Sequence, residues 1–234
     1  LLSRLGLLWL ANAGAVIGSL ALILHLAGSP MGFVTLALVY FAAALPHLRW
    51  QASDRTANLA GIRAWLDEAA LPNTPAPIAF DVSAAWPQQR FDAVFSANTL
   101  HIMSWSEVER LFAGLPGILT DDARLVIYGP FNYGGQYTSE SNAVFNAWLK
   151  SQGAHQGLRD FEAVDALARQ AGLGLREDRA MPSNNRCLVW QRAYSPLFQR
   201  GGRGDFSRRH SHAAHPSRLR LRPARKRLAA HRRQ

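Results

Sequence analysis

Asp54, Asp81 and the pair Asn98/His101 each stand at the end of a short apolar run, over residues 48–54, 77–81 and 91–97. Carboxylates accept hydrogen bonds from hydroxyl and amino groups, an amide both donates and accepts, and an imidazole can take a proton near neutral pH. In an open α/β sheet, ligands lie outside the carboxyl ends of the strands, so three runs closing in Asp, Asp and Asn/His predict a polar-rimmed crevice. An acid closing the second strand of a nucleotide-binding unit commonly accepts ribose hydroxyls, and Asp54 is placed for that; it could equally cap the helix that follows. Asp81 could accept from an adenine amino group or cap its own loop. Asn98 and His101 could position a substrate or a transferred group, although a lone His is also an ordinary structural hydrogen-bonder.

The elements that must hold these residues are legible from periodicity. Residues 91–97 (Phe-Asp-Ala-Val-Phe-Ser-Ala) read as a buried strand, and Ser104-Trp-Ser-Glu107 as a capping box opening a helix with Val108, Leu111, Phe112 and Leu115 on one face. Upstream, Leu59, Ile62, Leu66 and Ala69 recur at helical spacing through residues 55–70, and a breaker-rich loop follows. Downstream, Asp121-Asp122 reads as a turn before a buried strand over residues 124–128. A helix over 139–152 presents Val144, Phe145 and Trp148 as its apolar face, and another runs from an Asp160 N-cap to a stop at Gly172. The runs 173–180 and 186–192 are joined by too short a connector to be parallel, so they pair antiparallel. Strand–helix alternation closed by a hairpin predicts a doubly wound α/β sheet with one reversed strand.

The chain of 234 residues is 48% apolar, enough for one such domain with appendages. Its net charge of +10 is unevenly placed: residues 193–234 hold 12 Lys and Arg against one acid, and residues 1–192 hold 14 against 15. The body is therefore nearly neutral, and nucleic acid or an anionic membrane is an expected partner only through the basic tail, which reads as disordered. Cys187 is the single cysteine and sits in an apolar run, which excludes an internal disulfide and a Cys-based zinc site and favours a small core residue. The eight His are scattered, four of them in the tail, and suggest no metal site. There is neither a nucleophile elbow nor a phosphate loop.

Further segments carry a resemblance: Phe41-Ala-Ala-Ala-Leu-Pro-His-Leu-Arg-Trp-Gln-Ala-Ser-Asp54, Phe91-Asp-Ala-Val-Phe-Ser-Ala-Asn-Thr-Leu-His-Ile102, Tyr128-Gly-Pro-Phe131, Ser139-Glu-Ser-Asn142, Gly157-Leu-Arg-Asp160 and Met181-Pro-Ser-Asn-Asn185. Residues 40–192 resemble, on these segments, a methyltransferase-like family catalogued as a domain of unknown function, the group that includes methyltransferase-like protein twenty-six. The family is similar in fold to class I S-adenosylmethionine-dependent methyltransferases, with a Rossmann-like seven-stranded sheet and an antiparallel last strand. The resemblance implies S-adenosylmethionine as cofactor and a small-molecule methyl acceptor. It places Asp54 on the cofactor's ribose, Asp81 with Val82 beside adenine, and Asn98 at the methionine end. It also places Tyr128, Phe131, Asn142, Arg159, Asn184 and Asn185 on the substrate-facing wall, and leaves His101 to take the proton of a hydroxyl acceptor.

The departure lies before residue 40. Such enzymes carry a first strand and a glycine-rich turn there, whereas this chain offers only Gly28-Ser-Pro-Met-Gly32, without the tight glycine spacing. The first strand and the glycine-rich loop are thus expected to be atypical or missing, and cofactor binding impaired. Residues 5–27 carry no Asp, Glu, Lys or Arg and are long enough to cross a bilayer. Residues 1–39 are accordingly read as an atypical apolar segment, either a membrane anchor or frame-slipped sequence. A chain that opens on Leu1 is expected to be processed or incomplete. The expected location is cytoplasmic, with membrane anchoring through residues 5–27 as the alternative. The alternative functions are a non-catalytic ligand-binding or interaction protein that keeps the fold, or a nucleic-acid or anionic-membrane binder acting through the tail.

Overall fold

A computed structural model describes residues 38–192. The segments 1–37 and 193–234, and with them the expected anchor, the atypical glycine turn and the basic tail, lie outside the described residues. No helix among the described residues is long and apolar enough to cross a membrane.

Alternation builds the main sheet. Its order is β3 (Phe91–Ala97), β4 (Leu119–Gly129), β8 (Asn185–Arg192) and β7 (Leu173–Met181), with β3 and β4 parallel and β8 antiparallel to both neighbours. Along β4, Leu125 and Ile127 point into the main core while Val126 and Tyr128 point to the opposite face; Leu188 and Trp190 of β8 join the first face, Cys187 and Val189 the second. The predicted hairpin is present, with Met181 opposite Asn185. Cys187 is buried, as its apolar context predicts, and burial pushes its thiol up to about 11.

The helix α2 (Trp105–Ile118) covers the main core. Ser104 accepts from the Glu107 N–H while Glu107 accepts from the Ser104 N–H, the predicted capping box. Val108, Phe112 and Leu115 on its inner face are at most 1% exposed. Gly114 of this helix lies against Trp86, and a Cβ there would lie only 2.2 Å from the indole ring. Gly114→Ala is therefore expected to displace Trp86 from its edge-on contact with Phe80 and to cost about 1–3 kcal/mol, measurable by urea denaturation.

Four expectations need correction. The anticipated single sheet is divided: β1 (Ser53–Asp54) and β2 (Ile78–Ala79) form their own parallel pair, and α1 (Leu59–Ala69) buries Ile62 and Leu66 in a small cluster with Ala52, Leu38 and Val39. β3 is not fully buried; it pairs only with β4 among the described residues, and Phe95 is 37% exposed. Asp121-Asp122 is not a turn before a strand but lies inside β4. Leu119 pairs Phe91 and Arg124 pairs Ala93, so the excess residues bulge out, with Asp122 at φ 63°. The fourth concerns α3 (Glu140–Gln152), whose buried positions are Asn142, Asn146 and Leu149, while Val144 is 66% exposed. The two amides can be buried because each is hydrogen-bonded, which the apolar pattern cannot show.

Candidate active site

The carboxyl ends of β1 and β2 bring Asp54 and Asp81 together. The Phe80 N–H donates to the Asp54 carbonyl at 2.8 Å, which fixes the two strand ends side by side. Asp54 Oδ1 accepts from the Arg55 N–H at 2.7 Å and from Asn58 Nδ2 at 2.9 Å; this carboxylate braces Asn58, the N-cap of α1, and is not itself the helix cap that its position allowed. Nothing among the described residues bonds its Oδ2. Asp81 Oδ1 accepts from the Ser83 N–H at 2.8 Å. Val82 follows directly and packs against the main core.

Arg55, which the sequence did not single out, ties this rim to the next. Its guanidinium lies 3.4 Å from Asp81 Oδ2 and 2.8 Å from Glu107 Oε1 in the first turn of α2. Hydrogen bonds from the Ser104 N–H and hydroxyl, with Arg55 beside them, hold the Glu107 carboxyl below its ordinary value. Asn98 closes β3, its N–H donating to the Tyr128 carbonyl at 2.8 Å and its backbone at φ 53°. Asn is among the residues that tolerate that conformation. Gly129, at the end of β4, lies against the Asn98 side chain.

His101 lies in the loop between β3 and α2, 7% exposed, with its ring edge-on to Phe145 at 5.3 Å between centroids. Burial, with the charge of Arg159 beside it, lowers its pKa from 6.5 to about 4, so the imidazole is neutral at physiological pH. Arg159 itself faces this loop. It donates to the carbonyls of Leu100 (3.1 Å) and His155 (3.0 Å) and also to that of Met103, and so positions the segment that carries His101.

Four of the six proposed wall residues meet at one place. Asn185 Nδ2 donates to the Tyr128 hydroxyl at 3.2 Å; Asn142 Nδ2 donates to Thr138 Oγ1 at 2.8 Å and to the Asn184 carbonyl at 3.3 Å; Asn184 Nδ2 donates to Ser141 Oγ at 3.0 Å. Consecutive left-handed residues, Ser183 at φ 59° and Asn184 at φ 57°, shape the turn that presents them. Phe131 is instead in the core at 2% exposure, and Arg159 faces the His101 loop. Asn146 was missed: it donates to the Tyr137 hydroxyl at 2.9 Å and accepts from the Leu158 N–H at 2.8 Å. Its spacing four residues after Asn142 on one helix was the available signal.

The described residues fit the adenosyl half of a nucleoside cofactor: two carboxylates end adjacent parallel strands, and one has an uncommitted oxygen. The glycine turn that would face its other half lies outside the described residues.

A family model described as protein of unknown function (DUF938) matches residues 35–192. Among solved structures, the fold is similar to an O-methyltransferase family protein from Burkholderia thailandensis (18% identity, TM-score 0.61, 70% of this chain and 48% of that one). It is similar also to the S-adenosylmethionine-dependent methyltransferase SibL in its apo form (20%, 0.59, 68% and 48%). A third is CalO1, a methyltransferase in calicheamicin biosynthesis, in its SAH bound form (15%, 0.57, 67% and 45%). The chain thus spans about half the length of the structures it matches. The likeness is one of fold: a Rossmann-like α/β arrangement shared with methyltransferases.

Proposed function

The chain belongs to the family described as protein of unknown function (DUF938), and from its methyltransferase-like fold and the rim at β1, β2 and β3 we propose that it is an S-adenosylmethionine-dependent methyltransferase of a small-molecule acceptor. Within that family we place it with the methyltransferase-like group that includes methyltransferase-like protein twenty-six, on the segments quoted above. The observation that carries the reading is the pairing of Asp54 and Asp81 at adjacent strand ends, held by the Phe80 N–H and bridged to α2 by Arg55. There Asp54 would accept from the ribose hydroxyls, and Asp81 with Val82 would flank the adenine. Asn98, beside Gly129, would line the methionine end.

When bound, the cofactor would supply a methyl group on a sulfonium, a good electrophile; the protein's part is to hold donor and acceptor close and in line. Tyr128, Asn142, Asn184 and Asn185 would form the acceptor wall; Phe131 lies in the main core, and Arg159 fixes the loop that carries His101. His101, kept neutral by burial, is the candidate to take the proton of a hydroxyl acceptor. A pKa near 4 makes it a weak base, which favours acceptors that arrive as thiolates or neutral amines.

The absence of tight glycine spacing in residues 28–32 leads us to propose weakened cofactor affinity for this chain. Calorimetric titration with S-adenosylmethionine, on this chain and on a version with a glycine-rich turn restored, tests both points. The restored version is expected to bind more tightly, and Asp54→Ala in either background to weaken binding about tenfold or more, the loss of a charged hydrogen bond. Binding that is indifferent to Asp54 would argue for the alternative, a ligand-binding protein that keeps the fold without this chemistry.

A further inference from the structure

Two short strands, β5 (Phe131–Asn132) and β6 (Arg159–Asp160), form a parallel pair just past Gly129. Phe131 and Arg159 leave one face of it, toward the core and the His101 loop. Asn132 and Asp160 are register partners, so their side chains leave the other face together. Both Oδ1 atoms are shut away from water, and neither accepts a hydrogen bond. Asp160 is the N-cap of α4 (Phe161–Gln170), the position where an Asp side chain ordinarily turns back onto a backbone N–H, yet it makes no such bond. The cations near in sequence or space are engaged elsewhere: Arg159 with carbonyls of the His101 loop, and Arg186 with Asp178. Buried acceptors are almost always paired, and a carboxylate oxygen is the costliest kind to leave without a donor.

We propose that Asn132 and Asp160 form a subsite for the primary ammonium group of a small ligand. An ammonium brings three N–H donors and a compact positive charge to an amide oxygen and a carboxylate, matching what both atoms lack. A hydroxyl brings one donor and no charge; a quaternary ammonium brings charge and no donor. Asn132 is also separated only by Pro130 and Phe131 from the carboxyl end of β4, the side of the sheet on which ligands bind. Two sources share the chemistry: an amine-bearing acceptor, or the amino-acid end of the cofactor. The subsite itself does not depend on methyl transfer, because a simple amine tests it without cofactor.

The test is a titration of the full ¹⁵N-labelled chain with n-butylammonium chloride, read at the side-chain amide signals of Asn132, with tetramethylammonium chloride and n-butanol as controls. A saturable shift with n-butylammonium and none with tetramethylammonium is expected, weakened about tenfold or more in Asp160→Asn. That variant should melt no lower than the parent, because its new amide can donate to Asn132 Oδ1. Should it fail to fold, Asn132→Ala read at the Phe161 backbone amide gives the same comparison. S-adenosylhomocysteine moving the same signals would assign the subsite to the cofactor's amino group; amine binding unaffected by saturating S-adenosylhomocysteine would assign it to the acceptor. An equal response to tetramethylammonium, an unchanged Asp160→Asn curve, or no response to n-butylammonium would overturn the proposal.

Discussion

Replacing Trp190 with Ala is expected to remove about 3–5 kcal/mol of stability, the cost of emptying a large aromatic site in a packed core. Trp190 is fully buried in β8, opposite Leu125 of β4 and Leu175 of β7, and belongs to the main core cluster. Its indole Nε1 donates at 2.9 Å to Oδ1 of Asp165, which is 4% exposed and whose other oxygen meets Arg169 at 2.6 Å. The truncation therefore opens a cavity and also strips one donor from a buried carboxylate. Trp190→Phe separates the two effects: it fills most of the volume but leaves Asp165 Oδ1 without its donor, for an expected cost of about 1–3 kcal/mol. Urea denaturation of the three proteins checks the order. A total stability of about 5–15 kcal/mol, usual for a domain, leaves the Ala variant close to unfolding. A loss below that of the Phe variant would show that β8 is not the centre of the core.

The second large effect is acid lability through His101. Its pKa is about 4 in the folded chain against an ordinary 6.5, so folding favours the neutral ring. Above pH 6.5 both states are neutral and the contribution to stability is fully present. Between pH 6.5 and 4 the unfolded chain takes up a proton that the native one refuses, and stability falls. Below pH 4 both carry it and the loss, about 3 kcal/mol in all, is complete. Denaturation of the parent and of His101→Leu across this window measures the difference directly, because the other titrating groups are common to both. The parent should lose about 3 kcal/mol more than the variant on going from pH 7 to pH 4. Parallel profiles would mean that the ring is solvated.

The sequence was informative where local chemistry decides. Ser104 and Glu107 cap α2 as their spacing requires, the short connector makes β7 and β8 antiparallel, and Gly172 ends α4 at φ 77°. It was uninformative where burial depends on a partner far along the chain. Periodicity put Val144, Phe145 and Trp148 on the inner face of α3, yet Asn142 and Asn146 are buried there because Thr138, Tyr137 and the 158 and 184 backbones satisfy them. Arg55 has no local signal at all: its partners Asp81 and Glu107 are brought to it only by the fold. Residue type and strand position singled out Asp54 and Asp81, whose strands pair side by side, and Asn98, which stands at the end of β3 beside Tyr128. The division of the sheet, and with it the exposure of Phe95, is a matter of strand pairing that no single strand's pattern encodes.

The claim on which the functional reading rests is that the ends of β1, β2 and β3 form one binding rim for an adenosyl group. It is tested most directly by ¹H–¹⁵N NMR of the full chain during titration with S-adenosylmethionine to millimolar concentration, where even weakened binding registers. The backbone signals of Asp54, Asp81, Val82 and Asn98 are expected to move together along one saturable curve. If they stay fixed while signals elsewhere move, or if no signal moves, the rim does not bind this cofactor.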